Sequence, residues 1–315
     1  MSQLPDGAGG LPVGVSVLPA RVGVLGGGRM GSGIAHAFLI VGCDVVVVDQ
    51  PDQLGRAELS IRTSLDRSIA MGGVDRTAAD FSAALHLTAD RAALADRDLV
   101  IEAIPETLAL KLAVLPAVEA LLSPTAALAT NTSSLSIDDL AAALARPAQF
   151  IGLHFFNPVP SSALIEVVVG TQTDPAVVRG AGDWVRALGK TPVTVTDSPG
   201  FASSRLGVAL ALEAIRMLES GIATADDIDA AMVLGYRHAT GPLRTTDMVG
   251  LDVRLGIAEY LAGALGPRFE PPRLLRDLVA AGKLGRKTGE GFFVWDAQGG
   301  PPHEAGERPP AKEHR

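Results

Sequence analysis

His154 and Glu166 stand twelve positions apart, each on an apolar run: Phe150-Ile-Gly-Leu leads into the histidine, and Leu164-Ile-Glu-Val-Val-Val carries the acid. An imidazole titrates near neutral pH and can take or give a proton within one turnover. A carboxylate on its other ring nitrogen would fix the tautomer and stabilise the charged ring. A lone carboxylate in an apolar strand is costly, so Glu166 needs a partner, either His154 or a nearby arginine. The histidine opens a proline-fixed stretch, His154-Phe-Phe-Asn-Pro-Val-Pro160, and Asn131-Thr-Ser-Ser-Leu-Ser136 offers hydroxyls upstream. The chain has only two asparagines, Asn131 and Asn157, one in each stretch, which marks both positions as needing an amide. Taken alone, Ser133 and Ser134 read equally well as substrate contacts or as turn and cap residues, and Asn157 as a turn former before proline.

The elements that must position these groups begin with Arg21-Val-Gly-Val-Leu-Gly-Gly-Gly-Arg-Met-Gly and close at Val45-Val-Val-Val-Asp49. Strand, glycine turn, helix, strand and acid in that order form a dinucleotide-binding fingerprint. Gly26 turns the chain off the first strand, Gly28 lets a pyrophosphate approach, and Gly31 lets the helix pack close. Arg29 and Met30 open the helix whose free N–H groups would hold the anion. Asp49 would accept hydrogen bonds from ribose hydroxyls and repel a 2′-phosphate, so the expected cofactor is NAD rather than NADP. With a hydride acceptor in place, the imidazole would serve as base for oxidising a secondary alcohol.

Composition narrows the class. A chain of 315 residues suggests two domains. The net charge of −8 and the lack of a basic patch argue against a nucleic-acid partner. No apolar run approaches a membrane span, and no metal is called for. The single cysteine, Cys43, rules out an internal disulfide, fits a reducing cytoplasm and reads as a buried structural thiol.

Residues 1–19 read as a disordered leader. From residue 20 to 198, strand-like runs alternate with helical stretches, which implies an α/β domain with a mostly parallel, Rossmann-like sheet. A helical insertion from Asp52 to about Met71, broken by Gly72-Gly73, is expected to form a helical hairpin at the mouth of the site. Beyond Ser198-Pro-Gly200 the periodicity turns helical, with segments over Phe201–Glu219, from Thr224, over Thr245–Leu265 and over Arg273–Ala281. This predicts an all-helical C-terminal domain over 199–296 whose apolar faces favour a dimer, then a disordered tail over 297–315.

Together these motifs resemble the 3-hydroxyacyl-CoA dehydrogenase family, in particular its 3-hydroxybutyryl-CoA dehydrogenases. The resemblance also takes in Val100-Ile-Glu-Ala-Ile-Pro-Glu106, Asp197-Ser-Pro-Gly-Phe201, Gly241-Pro-Leu, Gly250-Leu-Asp and Leu284-Gly-Arg-Lys-Thr-Gly-Glu-Gly-Phe292. It implies a cytoplasmic homodimer of fatty acid metabolism that interconverts an L-3-hydroxyacyl-CoA and its 3-ketoacyl form with NAD. By motif position His154 would be the acid/base, Glu166 its orienting partner, and Ser133 a hydrogen-bond donor to the substrate oxygen. Glu106, Lys111, Asn157 and Lys287 would match cofactor contacts, with Asn131 and Ser133 bordering the same site.

Two departures bear on the substrate. Ser204 stands where the family has an asparagine that helps hold the substrate carbonyl. The Asp52–Met71 arm carries Arg56, Arg62 and Arg67 but no lysine, and Ser161-Ser-Ala163 replaces a segment that often bears one. The alternatives are therefore a dehydrogenase for a hydroxyacyl group on an acyl-carrier protein or for a free hydroxy acid, and, more remotely, a non-catalytic NAD(H)-binding protein.

Overall fold

The computed structural model describes residues 18–72, 74 and 76–296, and the backbone of 303–304. The chain divides into two compact units, Met1–Asp197 and Ser198–Arg315. Residues 1–17 of the expected leader lie outside the described residues, as does the expected tail from 297 onward apart from 303–304.

The first unit runs β1 (Arg21–Leu25), α1 (Arg29–Ile40), β2 (Asp44–Val48), α2 (Leu54–Ala70), α3 (Ala78–Ala84), β3 (Leu85–Thr88), β4 (Leu99–Glu102), α4 (Leu108–Glu119) and β5 (Ala127–Thr130). It continues with α5 (Ile137–Ala141), β6 (Phe150–Phe155), β7 (Leu164–Val169), α6 (Pro175–Ala187) and β8 (Thr191–Thr196). The eight strands lie in the order β3-β2-β1-β4-β5-β6-β7-β8. All neighbours are parallel except β6 and β7, which run antiparallel. The reversal of direction between β2-β1 and β1-β4 makes the switch point at which open α/β sheets bind ligands. The inner strands are continuous apolar runs, as strands covered on both faces must be. Their side chains, with Ile34, Phe38, Ile61 and Val185, form one buried core.

Cys43 sits in that core, and burial pushes its thiol up to about 11, in keeping with a structural role. The Asp52–Met71 insertion becomes α2, which buries Ala57, Ile61 and Leu65 and packs on α1, with the short α3 beside it. The strand β3 that follows was not legible: Leu85-His-Leu-Thr is a half-exposed edge of four residues.

The second unit holds α7 (Ser203–Glu219), α8 (Ala225–Tyr236), α9 (Pro242–Val249), α10 (Leu251–Leu265) and α11 (Arg273–Ala280). Leu212, Ile215, Leu243, Leu261 and Phe293 are among its core residues. The single helix expected over Thr245–Leu265 is two. Gly250 takes φ +109°, a conformation other residues resist, and breaks the helix while the apolar periodicity runs on through it. A short antiparallel ladder pairs β9 (Phe293–Val294) with β10 (His303–Glu304), the latter lying within the segment expected to be a disordered tail.

Candidate active site

The glycine turn joins β1 to α1. Gly26 has φ +97°, and a Cβ there would come within 2.8 Å of the Ala103 carbonyl oxygen. A Cβ on Gly31 would lie 1.7 Å from the Gly26 carbonyl oxygen and 3.2 Å from Val24 Cγ1 on β1, so both the turn and the close packing of helix on sheet require this glycine. Gly28 caps α1, and a Cβ on it would meet nothing within 4 Å, leaving open space at the helix N-terminus. Arg29 is exposed in the first turn, whereas Met30 packs its side chain on the sheet core. Asp49 follows β2: its Oδ2 accepts from Gly27 N at 2.6 Å and its Oδ1 from Gln50 N at 2.7 Å. The carboxylate is thereby fixed beside the turn. Open space, free N–H groups and an oriented acid fit the diphosphate and ribose of a dinucleotide.

The end of β4 carries a residue that sequence reasoning passed over. Glu102 is 0% exposed and bonded on every side. Its Oε1 accepts from Lys111 Nζ at 2.6 Å and Ile104 N at 2.8 Å, and its Oε2 from Thr130 Oγ1 at 2.6 Å. Lys111, in the first turn of α4 and 1% exposed, also meets Glu106 at 3.3 Å. Glu106 Oε1 then accepts from Thr132 Oγ1 at 2.6 Å and from Ser133 N at 2.8 Å. A chain of charge-assisted bonds therefore runs from the β4 terminus to the loop that bears Ser133. The only sequence signal was an acid at the end of an apolar strand, akin to the acid within one that Glu166 gave.

Asn131 is buried at the end of β5, where its Oδ1 accepts from Phe155 N at 2.9 Å and ties β5 to the end of β6. Ser136 caps α5 as expected, accepting from Asp139 N at 3.1 Å. His154 and Glu166 are cross-strand partners in the β6–β7 ladder. Their side chains meet at 2.7 Å between Nδ1 and Oε2, with exposures of 5% and 0%. Opposite residues of an antiparallel pair share one face, which explains how twelve positions of sequence become one contact. A carboxylate at that distance can accept an Nδ1 proton and orient the ring. The Phe156 ring packs 4.4 Å from the imidazole, centroid to centroid.

The loop beyond, with exposed Asn157 and a cis Asn157–Pro158 bond, is held by Lys190, whose Nζ donates to the carbonyls of Val159 at 2.7 Å and Ser162 at 2.5 Å. That lysine, too, carried no recognisable signal. Within the second unit, Ser204 lies half-buried in the first turn of α7. Lys287 Nζ meets both Asp252 oxygens at 2.6 Å. Among the described residues no group of side chains could hold a metal ion, and no helix is long and apolar enough to cross a membrane.

A mostly parallel sheet with a glycine turn at its switch point, and a carboxylate-oriented imidazole at the end of another of its strands, defines a dinucleotide-dependent oxidoreductase. Residues 21–198 match the family model described as 3-hydroxyacyl-CoA dehydrogenase, NAD binding domain, and residues 200–295 the one described as its C-terminal domain. The chain belongs to the 3-hydroxyacyl-CoA dehydrogenase family. It is 42% identical to the probable 3-hydroxybutyryl-CoA dehydrogenase of Deinococcus radiodurans, over 87% of this chain and 100% of that protein. Among solved structures, the (S)-3-hydroxybutyryl-CoA dehydrogenase PaaH1 of Ralstonia eutropha superposes with a TM-score of 0.83 at 39% identity, covering 88% of this chain and 99% of the other. FadB2 of M. tuberculosis gives 0.83 at 39% identity, covering 89% and 100%.

Proposed function

We propose that this chain is an NAD-dependent dehydrogenase that interconverts short-chain L-3-hydroxyacyl-CoA and 3-ketoacyl-CoA, with His154 as its acid/base. The observation that carries the reading is the buried His154–Glu166 pair at the carboxyl end of the sheet, two strands from the end of β4. Bound NAD supplies the acceptor for the hydride that leaves C3. His154 Nε2 takes the C3 hydroxyl proton as the carbonyl forms, and returns it in reduction. Glu166 fixes the ring through Nδ1–H and offsets its charge while the proton resides there. Ser133 donates to the substrate oxygen, its loop steadied by Glu106. Asp49, Glu106, Lys111, Asn131, Asn157 and Lys287 border the cofactor. Ser204 offers the thioester carbonyl one hydroxyl donor in place of an amide.

Exposed apolar side chains on the second unit, Leu206, Leu234 and Tyr236, support a homodimer, to be checked by sedimentation equilibrium. The reaction belongs in the cytoplasm and in fatty acid metabolism. One observation favours a second reading with a different acyl carrier. The α2 arm has no lysine, and of its three arginines Arg62 is already paired with Glu58 at 2.8 Å, which leaves Arg56 and Arg67 for coenzyme A phosphate.

The test is the initial rate of NADH oxidation with acetoacetyl-CoA, run beside NADPH. A rate specific to NADH and abolished in His154→Ala supports the proposal. Intact NADH binding without turnover would transfer the assignment to another carrier or hydroxy acid.

A further inference from the structure

The buried carboxylate of Glu102 stands in a closed ring of bonds. From its Oε1 the ring passes to Lys111 Nζ at 2.6 Å, and from Lys111 to Glu106 at 3.3 Å. Glu106 Oε1 accepts the Thr132 hydroxyl at 2.6 Å, and Thr132 N donates to Thr130 Oγ1 at 3.3 Å. Thr130 Oγ1 donates back to Glu102 Oε2 at 2.6 Å and closes the circuit. The end of β4, the loop after it, α4 and the end of β5 thus hold one another. Ser133 N hangs on this ring through Glu106, at 2.8 Å. Glu102, Lys111, Thr130 and Thr132 are each no more than 1% exposed, so water cannot take the place of any member. Apolar side chains of similar volume often pack as stably as a buried ion pair, so stability alone gives little reason for this one.

The ring also has a direction. A carboxylate only accepts, so the two hydroxyls between Glu102 and Glu106 have no choice of orientation. Thr130 gives its hydrogen to Glu102 and turns a lone pair to Thr132 N. Thr132 gives its own to Glu106 and accepts from Leu135 N at 2.9 Å and Ser134 N at 3.3 Å. Among the described residues, no buried polar side-chain atom of the ring lacks a partner. A network satisfied at every member rigidifies the segment it holds, here residues 130–135. Resting on the dehydrogenase reading above, in which Ser133 meets the substrate oxygen, we infer that Glu102 and Thr130 are positioning residues of the reaction. Both are fully buried and act through Ser133 rather than by contact. They fix its backbone so that its donor is already aimed when charge develops on the oxygen. A donor held in advance lowers the barrier because no reorganisation is left for the moment of reaction.

Thr130→Val keeps the volume and opens the ring by removing one hydroxyl. In the full chain it should lower kcat for NADH oxidation with acetoacetyl-CoA about tenfold, with KM for NADH little changed. Thr130→Ser, which keeps the hydroxyl, should recover most of the rate. The decisive comparison repeats Thr130→Val in a Ser133→Ala background. There it should change kcat by less than about twofold, because the group through which it acts is gone. An undiminished kcat in Thr130→Val, or the same loss in both backgrounds, would overturn the proposal; the second would make the ring a purely architectural device. Glu102→Gln, which keeps the shape but loses one acceptor, enters the same cycle if Thr130→Val does not fold. A wild type that oxidises no NADH would remove the dehydrogenase reading beneath the proposal. The ring would then be decided by hydrogen exchange at the Ser133 amide: faster exchange in Thr130→Val supports the alignment, and unchanged exchange refutes it.

Discussion

Two pairs of buried carboxylates, one pair from each unit, serve opposite ends. In the sheet unit, Glu102 and Glu166 reach other titratable side chains, Lys111 and His154. In the helical unit, Asp229 and Asp247 chiefly meet backbone: Asp229 accepts from Leu243 N and Arg244 N at the start of α9, and Asp247 from Phe292 N, Phe293 N and Trp295 Nε1. Desolvation raises the pKa of both aspartates. Their neighbours are shaped around them: a Cβ on Gly241 would lie 2.1 Å from Asp229 Cγ, and one on Gly291 would lie 2.2 Å from Asp247 Oδ1. A buried acid paired with a basic side chain can transmit charge and protonation. One paired with amide N–H groups fastens two segments together. The Gly241-Pro-Leu and Gly-Phe292 motifs are therefore marks of architecture.

The sharpest break in this comparison is expected at the reacting pair. His154→Ala should lower kcat by about 10²–10⁴ with little change in fold, read by NADH oxidation and near-ultraviolet dichroism. Next is the Glu102–Lys111 pair. Glu102→Ala leaves a buried ammonium without its main partner and should cost about 3–5 kcal/mol in urea unfolding, whereas adding Lys111→Met should restore much of it. If the double variant is no better than the single, the pair is not coupled as described. In the helical unit, Asp247→Asn should cost only about 1–3 kcal/mol, because one amide acceptor remains while a donor replaces the other. A larger loss than at Glu102 would invert the comparison.

The smallest effect is a divergence with pH. Burial lowers the His36 pKa, so its contribution is present above the unfolded value near about 6.5 and is lost as pH falls. The raised Asp229 and Asp247 values work the other way: their contribution is full below the unfolded carboxylate range and lost as pH rises through the folded values. Acidification from neutrality should thus weaken the sheet unit and strengthen the helical one, by at most about 1.4 kcal/mol per pH unit per group. Unit-resolved amide hydrogen exchange would show it, and parallel trends in both units would refute it.

Much of the sheet unit was readable in sequence because its signals are local. The glycine turn, the valine run into Asp49, the Ser136 cap and the Ser198 region each declare themselves within a few residues. The His154–Glu166 contact was readable as a need, since a carboxylate in an apolar strand requires company, but the arginine alternative could be closed only by the β6–β7 register. Glu102 stayed hidden because its partners come from β5, the loop after β4 and α4, and no spacing rule unites them. Asp229 and Asp247 were invisible for the same reason, looking like ordinary polar residues of amphipathic helices. The break at Gly250 was masked by apolar periodicity that continues across it.

The antiparallel pairing of β6 with β7 has a consequence for how such a molecule can change. His154 and Glu166 face one another because the ladder sets the register, and a slip of one residue would send them to opposite faces of the sheet. The segment that joins the two strands, residues 156–163, is anchored by contacts of its own, with Lys190 Nζ donating to the carbonyls of Val159 and Ser162. The pair is thus held by the rails of the hairpin and not by its bend alone.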